Sequence, residues 1–348
     1  MRNRVTFLEV MEKLSKVEAD VWPSSFEVLD EEGIFRMLLY HPLGKRRFKT
    51  PLLIVYAFIN RPYILDLYPE VSVVRRYLEA GFGVYMIDWG YPTRVDKYLR
   101  IDDYVDYIEK CIESIKEREK VDRVSLHGYC LGGTLAVVYT ALHQENVKNL
   151  VLQATPINFH TDNNLAVWAR NLNVDKIVDT YRMAPGDFLN MGFLAVDPIN
   201  LVIGKYHGLL ETLQEEEHEG ILEMLQKQET VINFLRLDKW IFDSPAIPGE
   251  TYRQYIKEWY QQNLLLKNLF RAQGKKVDLS KIEVPLLVLA AMCDHIAPPD
   301  SQKAILEVIS SKDKDIYKIK KGHIGITVSR ESHREFWPGV IEWLKQRS

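Results

Sequence analysis

The chain predicts an α/β protein whose mostly parallel sheet is covered on both faces and interrupted once by a helical insertion. Three observations lead there. Between residues 51 and 153, short apolar runs alternate with longer amphipathic segments, the rhythm of strand–helix–strand units. After Thr155-Pro156 that rhythm stops, and it resumes at Val284. Between these points the readable periodicities are helical. At 348 residues the chain is longer than a typical single domain, which suits a large core carrying an insertion.

Taken in order, residues 4–20 space Val5, Leu8, Met11, Leu14 and Val17 on a helical period, so residues 1–22 hold an N-terminal helix outside the sheet. Segments 26–29 and 34–40 flank Asp30-Glu31-Glu32-Gly33, a hairpin signal. Strands follow at 51–56, 83–87, 121–126 and 147–153, with helices at 71–80, 101–117 and 134–143. Gly81 stops the first of these helices. Helical candidates then run at 173–181, 186–194, 199–213, 219–236 and 250–269. Tyr252, Tyr255 and Trp259 fall on one helical face, a stripe expected in the core, with lining of a substrate channel as the lesser alternative. A strand at 285–291, a helix at 301–309, a strand at 315–319 and a helix at 335–345 complete the pattern. The expected division is therefore a core of 1–155 and 284–348 with a helical cap at 156–283.

Composition narrows the function. Hydrophobic residues make up 47%, enough for a sizeable core. Lys plus Arg number 45 against 48 Asp plus Glu, a net charge of −3, which argues against a dedicated nucleic-acid binder. No run of 18 apolar residues predicts a membrane span, and the first 20 residues lack a signal-peptide pattern. Three cysteines, Cys111, Cys130 and Cys293, are too few for a disulfide framework and suit a reducing, cytoplasmic compartment.

The chemistry centres on residues 121–143. The apolar run ends in His127-Gly128-Tyr129-Cys130-Leu131-Gly132-Gly133, and a helical pattern follows. Strand, sharp glycine turn and helix form the setting of a nucleophile elbow, with Cys130 in the nucleophile's place. The following helix would point its N-terminus at the sulfur and favour the thiolate. The Leu131 N–H would be free to hold an oxyanion. Two later strand ends carry Asp294, in Cys293-Asp294-His295, and His323, in Gly322-His323-Ile324-Gly325. Nucleophile, acid, histidine is the chain order of the α/β-hydrolase fold, here a mostly parallel sheet with a helical cap insertion. His323 can serve as base and Asp294 can fix its tautomer. His295 is a rival base and Asp88, ending its strand in Asp88-Trp89-Gly90, a rival acid. His127, Cys111 and Cys293 read as packing or structural residues, and His41, His160 and His218 have no comparable context. Zinc and phosphate-loop patterns are missing.

These residues resemble a known family, the catalytic subunit of polyhydroxyalkanoate synthase. The segment Tyr56-Ala57-Phe58-Ile59-Asn60-Arg61-Pro62-Tyr63-Ile64-Leu65-Asp66-Leu67 resembles its motif before the first helix. Asp88-Trp89-Gly90, Gly128 to Gly133, Asp294-His295-Ile296-Ala297-Pro298, Gly322 to Gly325, Phe336-Trp337-Pro338 and Glu342-Trp343-Leu344 resemble further motifs along the chain. The short length resembles the two-subunit synthases, class III or IV. The resemblance implies polymerisation of (R)-3-hydroxyacyl-CoA, 3-hydroxybutyryl-CoA first among them, with CoA release through a thioester on Cys130. It implies no cofactor, since acyl-CoA is the substrate. The implied partners are the growing polyester chain and a second synthase subunit of the E or R type, with room for a homodimer, at the surface of cytoplasmic polymer granules. A second oxyanion donor is expected in the loop at Phe58 and Ile59, and Asn60 and Tyr129 are candidate substrate contacts. A cysteine esterase or depolymerase on the same fold, and a non-catalytic binding module, are the competing readings.

Overall fold

The computed structural model describes residues 19–196 and 229–348. The expected N-terminal helix and the 199–213 helix, with the first part of the 219–236 helix, lie outside the described residues. Eight strands form one sheet: β1 (Phe26–Glu32), β2 (Phe35–Tyr40), β3 (Leu52–Val55), β4 (Val84–Asp88), β5 (Val124–Tyr129), β6 (Val147–Gln153), β7 (Leu286–Ala291) and β8 (Lys314–Ile319). Their spatial order is β1-β2-β4-β3-β5-β6-β7-β8. The β1–β2 and β2–β4 pairs are antiparallel and the remaining pairs parallel.

Burial follows position in the sheet. All residues of β3, β4, β5 and β7 are buried, as strands covered on both faces must be. The edges differ: β1 carries Glu27, Asp30, Glu31 and Glu32, and β8 carries Lys314, Asp315 and Lys318. Charges on an edge discourage pairing with another chain.

Helices α1 (Val73–Ala80), α2 (Ile101–Glu119) and α3 (Leu131–His143) cover the sheet. The side chain of Ser72 caps α1 by accepting from the Arg75 N–H at 2.9 Å, and Gly81 ends it at φ +99°. In α2, Ile101, Tyr104, Val105, Ile108, Cys111, Ile112 and Ile115 form the buried face, so Cys111 is core as expected.

The insertion supplies α4 (Asn164–Asn171), α5 (Val174–Tyr181), α6 (Gly186–Val196), α7 (Glu229–Phe242) and α8 (Gly249–Gln254). Helix α4 carries no periodic signature, because Leu165 to Ala169 is a contiguous apolar run. The expected 250–269 helix instead widens into a π-helical turn at Tyr255–Gln261 and stops. Asn263 and Asn268 take φ values of 52° and 55°, a conformation asparagine tolerates and a helix cannot continue. The 301–309 helix is two short turns, Pro299–Lys303 and Ile305–Val308. The C-terminal helix α9 (Trp337–Lys345) is entered through a π-helical turn at Ser332–Phe336.

Candidate active site

Strand β5 runs three residues further than the sequence suggests, through His127-Gly128-Tyr129, and α3 begins at Leu131 rather than Thr134. The turn between them is Cys130 alone, at φ 54° and ψ −131°. That conformation is costly for a residue with a side chain and persists only where its surroundings impose it. Here they do. The Cys130 N–H donates to the Gln153 carbonyl at 3.0 Å, extending the β5–β6 ladder into the turn, while the Cys130 carbonyl accepts from the Gly133 N–H at 2.9 Å, inside the first turn of α3. Strand and helix then meet without side chains between them. A β-carbon on Gly128 would stand 2.2 Å from the Gly133 Cα, and one on Gly133 would stand 1.9 Å from Thr155 Oγ1.

Asp294 follows β7 and His323 follows β8. Asp294 Oδ2 accepts from His323 Nδ1 at 2.7 Å, with the two residues only 3% and 8% exposed. Asp294 Oδ1 accepts from the Ile296 and Ala297 N–H groups at 2.8 and 2.9 Å. Burial works against a charged His323, but the Asp294 carboxylate, with Tyr129 and Cys130 beside the ring, outweighs it. The net effect holds the imidazolium well above the ordinary value of 6.5. With Nδ1 committed to Asp294, Nε2 is the ring nitrogen left for chemistry.

Cys130 and His323 line one cavity of about 360 Å³, together with Leu131, Tyr255, Trp240 and Phe193. Its wall is mainly apolar, with contributions from the core loops and from the insertion. Of the aromatic stripe, Tyr255 is buried and lines the cavity, whereas Trp259 packs inward against Phe159 at 5.6 Å.

The remaining sequence candidates separate cleanly. Leu131 opens α3, so its N–H has no carbonyl one helical turn back. Ile59 lines the cavity; Phe58 does not, and packs instead against Tyr104 and Tyr255 at 5.4 and 5.7 Å. Asn60 lines the cavity, but its amide donates to the Trp240 carbonyl at 3.2 Å and to Ser244 Oγ at 2.8 Å. Tyr129 also lines it, with its hydroxyl donating to the His323 carbonyl at 3.1 Å and its ring 5.4 Å from the imidazole. Both side chains hold the site's parts together.

The rivals fall away for physical reasons. Asp88 is fully buried and neutralised by Arg36 and Arg61, the latter at 2.9 Å. His295 is exposed at the cavity rim, and Asp294 turns to His323. His127 is buried between the Tyr77 hydroxyl at 3.1 Å and Gln153 Oε1 at 3.0 Å, and burial lowers its pKa to about 4. Cys293 corrects the expectation of packing: it is exposed and borders the cavity, because the loop after β7 turns outward where Asp294 turns in.

The comparisons agree with this architecture. A family model for the alpha/beta hydrolase fold matches residues 50–326, and one for the poly-beta-hydroxybutyrate polymerase (PhaC) N-terminus matches residues 6–78. The poly(3-hydroxyalkanoate) polymerase subunit PhaC of Thiocystis violacea is 39% identical over 97% of this chain and 93% of its own length. The subunit of the same name from Synechocystis is 34% identical over 98% and 89%. That of Haloferax mediterranei is 39% identical over 97% of this chain, which spans 66% of that longer relative. Among solved structures, the monoacylglycerol lipase of Paleococcus ferrophilus aligns with a TM-score of 0.54 at 17% identity, covering 86% of this chain and 97% of the lipase. The mouse alpha/beta hydrolase domain-containing protein 10 aligns with a TM-score of 0.52 at 14% identity, covering 93% and 100%. At such identities these two show the fold alone. With a cysteine at the elbow, a buried histidine–aspartate pair beside it, and the Thiocystis and Synechocystis relatives matched along 93% and 89% of their own length, the chain belongs to the family of poly(3-hydroxyalkanoate) polymerase subunits PhaC.

Proposed function

We propose that the chain polymerises (R)-3-hydroxyacyl-CoA thioesters, 3-hydroxybutyryl-CoA first among them, and releases coenzyme A. In this reading the Cys130 thiolate attacks the substrate's thioester carbonyl, and the oxyanion that forms is held by the Leu131 N–H and an N–H of the Phe58–Ile59 loop. The C–S bond to CoA then breaks. The CoA thiol leaves with a proton from the His323 imidazolium, and the acyl group remains as a thioester on Cys130. Next, the 3-hydroxyl of a bound monomer or chain end gives its proton to His323 and attacks that thioester. An ester bond forms, and the Cys130 thiolate is released for another cycle.

Cysteine suits this task. Exchange of one thioester for another loses little free energy, so the acyl group stays activated for the hydroxyl. A hydrolase would pass the group to water; a polymerase must exclude water. The largely apolar cavity around Cys130, roofed by the insertion, supports exclusion. The single observation that carries the reading is His323, paired with Asp294 at 2.7 Å, on the wall of a cavity that Cys130 also lines, in a chain of the polymerase family. A second subunit of the E or R type, assembly at the granule surface and a homodimer belong to the same proposal. Among the described residues no helix is long and apolar enough to cross a membrane.

The test is incubation with 3-hydroxybutyryl-CoA, with and without a candidate second subunit, following thiol release and product. Thiol release with polymer is expected, and neither with Cys130→Ala. Free 3-hydroxybutyrate as the sole product would assign a hydrolase instead.

A further inference from the structure

We infer that Gln302 is a positioning residue of the active site, acting through Asp294. The inference rests on the reading of Asp294 as the residue that orients His323. Gln302 lies on the short turn Pro299–Lys303 after β7 and is 1% exposed. Its amide nitrogen donates to Asp294 Oδ2 at 3.1 Å, the same oxygen that accepts from His323 Nδ1. That nitrogen also donates to the Ala297 carbonyl at 2.5 Å. Its amide oxygen accepts from the Ala291 N–H, the last residue of β7, at 3.1 Å.

The count of donors gives these bonds their meaning. An ionised carboxylate offers about four lone-pair sites. Asp294 Oδ1 takes two backbone N–H groups, from Ile296 and Ala297, and Oδ2 takes His323 and Gln302. The carboxylate is saturated. Its two backbone bonds fix one oxygen but leave the group free to rock about the Oδ1 end. Gln302 closes that freedom by holding Oδ2, the oxygen that the imidazole also uses. It ties the carboxylate both to the end of β7 and to the loop that carries it. Tyr129, Cys130 and Tyr260 also face the His323–Asp294 pair, and Gln302 adds a donor with no charge. An uncharged donor fixes direction without competing with the imidazolium for the carboxylate's charge, as a lysine ammonium there would, and without repelling the carboxylate, as a glutamate would.

A residue that acts through Asp294 has no work to do once Asp294 is gone, and this separates positioning from general support. The experiment is a double-mutant cycle on CoA release from 3-hydroxybutyryl-CoA. Gln302→Met alone is expected to lower kcat by about 10–100-fold with KM little changed, the usual cost of removing a partner that orients a catalytic group. In the Asp294→Ala background the same substitution is expected to change kcat by less than about twofold. If Gln302→Met does not fold, as judged by its thermal melt, Gln302→Asn takes its place. Asparagine is one methylene shorter, so it withdraws the amide from Asp294 without adding charge. Wild-type kcat in the single variant, or the full loss repeated in the Asp294→Ala background, overturns the inference. Cys130→Ala, run beside them, tests the underlying reading separately. Normal CoA release there overturns the nucleophile, whatever Gln302 does.

Discussion

Cys130, His323 and His127 show how one residue type or one position takes its role from its surroundings. His323 and His127 are both buried, yet their pKa values move in opposite directions. His323 faces a carboxylate and is raised well above 6.5; His127 faces neutral partners and falls to about 4. The first is therefore suited to carrying a proton, and the second is a neutral hydrogen-bonding post. His323→Gln is expected to lower the rate of CoA release by about 10²–10⁴-fold with an unchanged circular-dichroism spectrum. An unchanged rate would move the base elsewhere, first to His295. The signs also predict stability. His127, and His333 likewise lowered to about 4, are neutral in the fold but charge in the unfolded chain below about 6.5. Their contribution is complete above that value and is lost as pH falls towards 4, at about 1.4 kcal/mol per unit for each group. His323 acts oppositely: its contribution is complete below about 6.5 and is lost as pH rises through its raised pKa. Urea melts at pH 7 and pH 5 should show His127→Gln losing less stability on acidification than the parent. An equal loss in both would remove His127 from the account.

Among the elements, the elbow was the most legible and the insertion the least. The elbow's glycines are demanded by contacts within a few residues of one another, so a local sequence pattern exposes them. Even so, β5 extends beyond what the pattern suggests. His127, Gly128 and Tyr129 look like turn residues in sequence, but the parallel ladder with β6 carries the strand through Tyr129. Gly128→Ala would set a methyl group against the Gly133 backbone, which cannot yield as a flexible side chain would. A stability loss of about 1–3 kcal/mol is expected, with loss of activity exceeding that of a surface glycine such as Gly44 changed to alanine. Equal melting temperatures for the two variants would contradict the close packing of β5 on α3. In the insertion, helical periods marked α5 and α6, whereas the end of the helix after α8 depends on asparagines whose left-handed backbone no period reveals.

In the molecule as a whole, the insertion is stapled to the core beside the cavity. Asn60 donates to Trp240 and Ser244, the Trp240 indole N–H donates to the Arg61 carbonyl at 2.8 Å, and the hydroxyls of Tyr63 and Tyr91 both donate to Asp243, at 2.9 and 2.8 Å. Hydrogen bonds to a charged group are worth about 1.5–3 kcal/mol each. Asp243→Ala should therefore open the insertion more often and speed limited proteolysis within residues 156–283 by about tenfold or more, with the core fragment resistant. Wild-type cleavage would show that apolar packing alone holds the roof. By itself the amino-acid sequence determined the alternating α/β rhythm, its interruption, and Cys130, Asp294 and His323 in order at three strand ends. Periodicity and a glycine turn are local, and parallel strands deliver their ends to one side of a sheet. Only the tertiary structure decided that Asp294 turns to His323 and away from His295, and that Asp88 is spent on two arginines. It alone showed Asn60 and Tyr129 holding the scaffold, and Gln302 completing the carboxylate's shell. Those choices depend on which buried donors and acceptors meet across long stretches of chain, and hydrogen-bond satisfaction in a closed interior has no signature along the sequence.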